Sequence, residues 1–197
     1  ERRKSLRQQL RDTGLELTAI MDRIGIDGDA QKRAERIERI KLVAQLAHDL
    51  SPDHPPLLQG VLGGSDSWEE MKPIYADEIK EWIGLTEQLK LNIAIKPHRG
   101  SAMSRPSEAA ELLTMLGKPP RIKMVYDFSH YDLRDMTLEG TIRTALPHTS
   151  HVAVKDVVPK GDKTTFVLPG EGGRIDYPKL LRLFYDGGYR GDISCEV

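Results

Sequence analysis

The sequence is short of several features that would have narrowed its function at once. It has a single cysteine, Cys195, in 197 residues. One thiol cannot close an intramolecular disulfide or build a cysteine cage for zinc, so nothing argues for an oxidising compartment and a cytoplasmic setting is expected. Neither sign of charge is in excess: Lys+Arg 29 stands against Asp+Glu 30, a formal net charge of -1. That balance removes the electrostatic footprint of a chain that lives on nucleic acid or on an anionic membrane. Long hydrophobic runs are missing too. The longest, at 57–62 and 91–95, are strand-sized and far below the roughly 20 residues of a membrane span. No Gly-x-Gly-x-x-Gly or Walker-type loop occurs, so no nucleotide cofactor is expected. Linkers and low-complexity stretches are absent, and 1–197 reads as one domain. The chain opens on Glu1 inside a helical pattern, so a longer natural protein is expected, and secreted or periplasmic placement stays open.

What is present is an alternation of short β-like runs with longer segments of helical spacing, the pattern of an α/β protein. A charged amphipathic helix over 2–11 carries Leu6 and Leu10, with Gly14 placed to stop it. Strands are expected at 15–20, 57–62, 91–96, 122–127, 151–156 and 192–197. Between them the spacing predicts helices over 30–50, 68–89, 106–116, 138–145 and 177–185. In the second helix Ala34, Ile37, Ile40, Val43, Ala44 and Ala47 share one face. Ser67 is placed to cap the third, and a Gly-, Lys- and Asp-rich loop follows the fifth strand.

The strand centres recur at a mean spacing of roughly 35 residues, the size of a βα unit with its loops. Eight such units would need about 280 residues, the size of a (β/α)8 TIM barrel. The chain therefore fits a barrel lacking its first two βα units and its last helix. An open doubly wound sheet of six strands fits the same length, and period alone does not separate the two.

Ionisable residues collect at the carboxyl ends of the expected strands: Lys96 and His98, Asp127 and His130, Lys155 and Asp156, and Glu196. In both architectures that edge is where ligands bind. Any one of them has an ordinary use, since an aspartate at a strand end is commonly a helix cap. Four strands in succession each delivering such a group point to a shared site. His48, His54 and His148 lie in helical or turn context and receive no role, and Trp68 and Trp82 read as packing residues.

Five segments, in order, carry a resemblance: Ile95-Lys96-Pro97-His98, Tyr126-Asp127-Phe128-Ser129-His130, the run 151–156, Leu168-Pro169-Gly170-Glu171-Gly172 through Tyr177, and 188–196. Together they resemble the sugar phosphate isomerase/epimerase family with the xylose-isomerase-like TIM barrel. The resemblance spans about 91–197 and implies that the six strands are the third to eighth of a barrel. It also implies one divalent metal (Mn, Mg, Zn or Co) held by Glu, Asp, His and Glu from the last four strands. Position by position, Asp127 and Glu196 match two of these ligands. Lys96 stands where the family has Glu, Ala153 where it has the second His of a His-x-His strand, and His151 matches the first. Two carboxylates without an imidazole, faced by a lysine, make a poor site for such a metal.

The expected function is that of a sugar or keto-sugar isomerase or epimerase, or a related dehydratase or lyase, working by proton abstraction next to a carbonyl. Glu196 and Asp127 are the expected central carboxylates, and Lys96 an electrophilic partner or metal substitute, with Schiff-base chemistry left open. His98, His130, Lys155 and Glu171 are expected substrate contacts, Glu171 being equally at home as a surface turn residue. Arg99 and Arg105 are candidates for an anionic substituent. The other reading is a catalytically silent barrel that binds carbohydrate or serves as an interaction domain. A nuclease sharing the barrel would need a richer multi-metal cluster and a basic channel. The expected partner is a small-molecule sugar, with neither nucleic acid nor membrane; a homo-oligomer is compatible with this reading.

Overall fold

The computed structural model describes residues 1–64, 67–134, 136–161 and 163–196. Helix α1, Arg2–Thr13, ends at Gly14, whose φ of 65° is the left-handed conformation that closes a helix. Strand β1 is Ala19–Met21, shorter than the expected 15–20 and displaced from it. Its partner β2, Leu57–Gly60, explains the difference. Pro55 and Pro56 precede β2 and have no N–H to donate, so the ladder starts at Leu57, which donates to the Thr18 carbonyl.

Helix α2, Ala30–Leu50, is capped by Asp29, whose side chain accepts from Gln31 and Lys32 N–H. Its inward face differs by one position from the expected one: Ala34 is exposed and Arg36 is buried. The cause lies on α3, Trp68–Leu89, where Glu78 is buried opposite and takes the guanidinium in two bonds, each 2.7 Å. Ser67 and Glu70 form the capping box that starts α3. Strand β3, Ile93–Ile95, leads to α4, Pro106–Met115, which has proline in its first turn. Strand β4, Ile122–Tyr126, runs into a tight 3-10 turn and then α5, Leu138–Ala145, and β5, Thr149–Val154.

The loop expected after the fifth strand is instead an antiparallel hairpin, β6 (Asp156–Lys160) and β7 (Lys163–Val167). The fifth strand accordingly stops at Val154, and Lys155 separates it from β6. Helix α6, Tyr177–Asp186, and strand β8, Asp192–Cys195, complete the chain; position 197 lies outside the described residues.

The main sheet has the order β1-β2-β3-β4-β5-β8, and every pair is parallel. This order separates the two architectures left open by spacing. A doubly wound sheet reverses direction at a switch point, whereas a barrel adds each strand beside the last. On the inner strands β2 to β5 both faces of the sheet are buried. Leu58, Ile93, Met124, Tyr126 and Val152 belong to the large core shared with the helices, while Leu57, Ala94, Val125 and Ala153 form a second, smaller cluster on the concave side. The molecule is a curled parallel part of a (β/α)8 barrel. Trp82 is fully buried in the helix-facing core, as its helical spacing suggests. Among the described residues, no helix is long and apolar enough to cross a membrane.

The Arg36–Glu78 pair is nearly closed to water and ties α2 to α3. Arg36 Nη1 also lies 3.2 Å from Asp27 Oδ1, so it is the loss of Arg36 that strands a charge: Arg36→Met alone should lower the unfolding free energy by about 3–5 kcal/mol, whereas Arg36→Met with Glu78→Leu should cost far less. Urea denaturation of the two variants checks this.

Candidate active site at the strand ends

The smaller cluster sets the positions of the polar residues above it. Side chains two apart on a strand share a face. Two residues beyond Leu57, Ala94, Val125 and Ala153 stand Gln59, Lys96, Asp127 and Lys155, and two beyond Ser194 on β8 stands Glu196. Five strands thus present one polar layer at their carboxyl ends, resting on an apolar floor. Gln59 was not among the expected site residues, although an amide inside the wholly buried strand Leu57–Gly60 is a signal. Its Oε1 is buried without a hydrogen-bond partner.

Four of these groups form a closed ring of alternating charge. Lys96 Nζ lies 2.8 Å from Asp127 Oδ2 and is bonded to Glu196 Oε2. Lys155 Nζ lies 2.8 Å from Glu196 Oε1 and 3.2 Å from Asp127 Oδ2. Asp127 also caps the turn that follows it, accepting from Ser129 N–H at 3.1 Å and Ser129 Oγ at 2.6 Å. It is therefore both the helix-type cap its position suggests and the centre of the site.

Burial alone would push the Asp127 carboxyl up; contact with His130 and the charges of Lys96 and Lys155 outweigh it and hold the group well below the usual carboxylate range. For Glu196 the same opposition, burial against the two lysines, leaves the carboxyl lowered. Burial works against the Lys96 ammonium, yet the charges of Asp127 and Glu196 raise its pKa overall.

Two histidines lean on this ring. His98 and His130 have ring centroids 4.2 Å apart, and His130 Nε2 lies 3.4 Å from Asp127 Oδ2, too long for a well-formed hydrogen bond. Burial, followed by the neighbouring His130 and the lysine charges, lowers the His98 pKa to about 4. Burial also lowers His130, against the opposing pull of Asp127. One layer down, His151 Nε2 bonds Ser194 Oγ at 2.8 Å, in keeping with its place below Ala153.

The hairpin, absent from the sequence reading, adds an aromatic neighbour to the ring. Phe166 on β7 sits with its ring 4.5 Å from Lys155 Nζ and 5.5 Å from the His130 ring, partly exposed. Asp156 is an anchor: its carboxylate accepts from Gly170 N–H, Gly172 N–H and Tyr177 Oη, fixing the loop that leads to α6. Lys96, His98, Asp127, His130, Lys155 and Glu196 are therefore brought together. Glu171 is not joined to them; it is exposed and its carboxylate accepts the Leu168 N–H within its own turn. Arg99 has a buried Nη1 without an acceptor, and Arg105 lies 3.9 Å from Glu108. A cavity of about 660 Å³ opens beside the ring, lined by Arg23, Gln59, Lys96, His98 and Glu196 among others.

The donor set does not fit a divalent metal. An ion between Asp127 and Glu196 would stand against two ammonium groups, and Ala153 offers no donor atom. Among the described residues, no group of three or more His, Cys, Asp or Glu is arranged to hold one.

Comparison with known proteins agrees with this architecture. A mouse (Mus musculus) protein named "Putative hydroxypyruvate isomerase" is 29% identical over 133 residues, 64% of this chain and 46% of that protein. The chain thus matches about half the length of such curated relatives. The crystal structure of IOLI protein with a bound zinc atom superposes with a TM-score of 0.80 at 18% identity, over 100% of this chain and 73% of that one. D-psicose 3-epimerase with D-tagatose from Clostridium cellulolyticum H10 gives 0.77 at 15%, over 98% and 68%. At such identities the two structures speak for the fold alone. The family model of the xylose isomerase-like TIM barrel matches residues 1–197, and with the singly wound parallel sheet and its polar layer in place, the chain belongs to that family.

Proposed function

We propose that this chain carries the catalytic face of an isomerase or epimerase acting on a sugar or a related hydroxy-carbonyl compound, by proton abstraction next to the carbonyl. The observation that carries the reading is the ring of two lysines and two carboxylates at the strand ends, with Lys96 and Glu196 facing the 660 Å³ cavity. The name of the mouse relative, "Putative hydroxypyruvate isomerase", supports the same reaction class.

The roles follow from access. Glu196 has a side chain 32% exposed and lines the cavity, so it is the carboxylate that takes and returns the proton. Asp127 has no exposure and serves as fixed negative charge. Lys96 is bonded to Glu196 and ion-paired with Asp127, so its ammonium keeps an N–H for the carbonyl oxygen as negative charge grows on it during enolisation. The charges that keep it protonated make it an electrophile toward that oxygen and disfavour Schiff-base formation. His98 lines the cavity in neutral form and can meet a substrate hydroxyl. Lys155 holds Glu196 in place, and His130 supports His98 from behind. Zinc belongs to one structural relative; the reaction written for this chain uses its own ammonium groups.

The reading is tested by incubating the protein in D2O with hydroxypyruvate and a panel of ketoses and aldoses, following loss of the proton next to the carbonyl by NMR. Exchange is expected with at least one compound, and Glu196→Gln should reduce it by about 10²–10⁴-fold. Binding without exchange anywhere on the panel would instead favour a silent carbohydrate-binding barrel.

The histidines give a pH dependence. His98 titrates at 6.5 when unperturbed and at about 4 in the fold. Between those values the unfolded chain binds more protons, so the stability contribution present above pH 6.5 is lost as pH falls toward 4. His130 is shifted in the same direction, whereas the lowered Asp127 and Glu196 add their loss only at more acid pH, below the ordinary carboxylate values. The urea midpoint should therefore be lower at pH 5 than at pH 7, and His98→Gln should reduce the difference.

A further inference from the structure

The two lysines at the mouth together carry the charge of one divalent cation, and they carry it between two carboxylates. A structural salt bridge needs one partner for each charge. Here each ammonium meets both carboxylates, and each carboxylate meets both ammonium groups. The lysines come from different strand ends, after β3 and after β5, so no local constraint of the chain accounts for their convergence. What permits it is the layer beneath. Ala94 and Ala153, the inward residues two positions before each lysine, are fully buried and small, and they leave room above them for the stems. Ala153 also removes a donor from the same place. An alanine without an electron-pair donor and two ammonium groups beside the carboxylates act in one direction: away from holding a metal ion and toward supplying its charge.

We propose that Lys96 and Lys155 are a built-in substitute for a divalent cation, balancing Asp127 and Glu196 and presenting N–H donors to substrate oxygen where an ion would present coordination positions. The two lysines divide the task. Lys96 lines the cavity and has a donor to spare, so it meets the substrate. The Lys155 ammonium lies over the Phe166 ring, and this lysine is a positioning residue that completes the charge and holds Glu196. The charge substitution stands on the geometry of the ring; only its use on a substrate rests on the function proposed above.

The test is elemental analysis and calorimetric titration with MnCl2 and with ZnCl2, applied to the full chain as wild type, as Lys96→Gln, and as Lys96→Glu combined with Lys155→Ala. Circular dichroism melts establish which variants fold. The wild type is expected to hold no stoichiometric ion. The double variant leaves three carboxylates and no ammonium at the mouth, and it should take up one Mn2+ per chain at least about 100-fold more tightly than wild type, as removal of two adjacent like charges implies. Lys96→Gln keeps the side-chain size and should show a smaller gain in the same direction.

One ion bound by the wild type and lost in Asp127→Asn would overturn the proposal, as would a folded double variant that takes up none. The proton-exchange assay on the same preparations keeps the two ideas apart. Metal-free wild type that exchanges supports both. Metal-free wild type with no exchange leaves the substitution standing and removes the isomerase reading. Exchange that depends on added Mn2+ removes the substitution alone.

Discussion

A carboxylate with no exposure to water survives as an anion only if opposite charge and hydrogen-bond donors surround it. Asp127 is in that position, and most of the mouth of this barrel follows from it. Its Oδ1 is taken by Ser129, which fixes the turn after β4 and places His130. Its Oδ2 is left for charge, and Lys96 and Lys155 converge on that single oxygen at 2.8 and 3.2 Å. Two ammonium groups on one carboxylate would leave an excess of positive charge. Glu196, from the far end of the sheet, removes it by bridging the same pair. The ring therefore couples β3, β4, β5 and β8 at one end, while the apolar floor couples the first three of those strands just below.

Such an arrangement is not a device for stability. Each ion loses water at a cost of about several kcal/mol, and well-packed apolar side chains of similar size would often serve the fold as well. The contrast with Arg36 and Glu78 is useful. That pair is also buried, but it ties one helix to another and keeps its carboxylate closed, the Glu78 side chain being 3% exposed. The ring at the strand ends borders a cavity of about 660 Å³ and leaves Glu196 partly open to it. Buried charge placed where a ligand can reach it is a common sign of chemistry.

How much of this was legible in the sequence depended on whether the signal was local. Helices α2 and α3 carry their own caps, at Asp29 and at Ser67 with Glu70, and their expected bounds coincide with the observed ones. Lys96, Asp127 and Glu196 were visible because charged residues that end apolar runs stand out. The misses were settled by partners distant in sequence. Arg36 turned inward because Glu78 waits for it, and β1 was short because two prolines precede the strand beside it. The β6–β7 hairpin was hidden because Pro159 and its charged residues look like loop composition, and Phe166 was hidden with it. Lys155 stands out as a charge at the end of an apolar run, yet nothing local announces that it shares both carboxylates with Lys96.

Alanine at 94 and 153 would ordinarily be unremarked in a strand, since small residues pack anywhere. In a barrel interior they decide how much room the layer above receives. A larger residue at either position would crowd the buried floor on which the ring rests, and overpacking a close-packed interior forces side chains off their preferred rotamers. Two alanines and two lysines are thus one feature spread over two strands: the small residues create the space, the long ones fill it with charge, and the carboxylates opposite give that charge its place. The chemistry proposed for this site depends on all three.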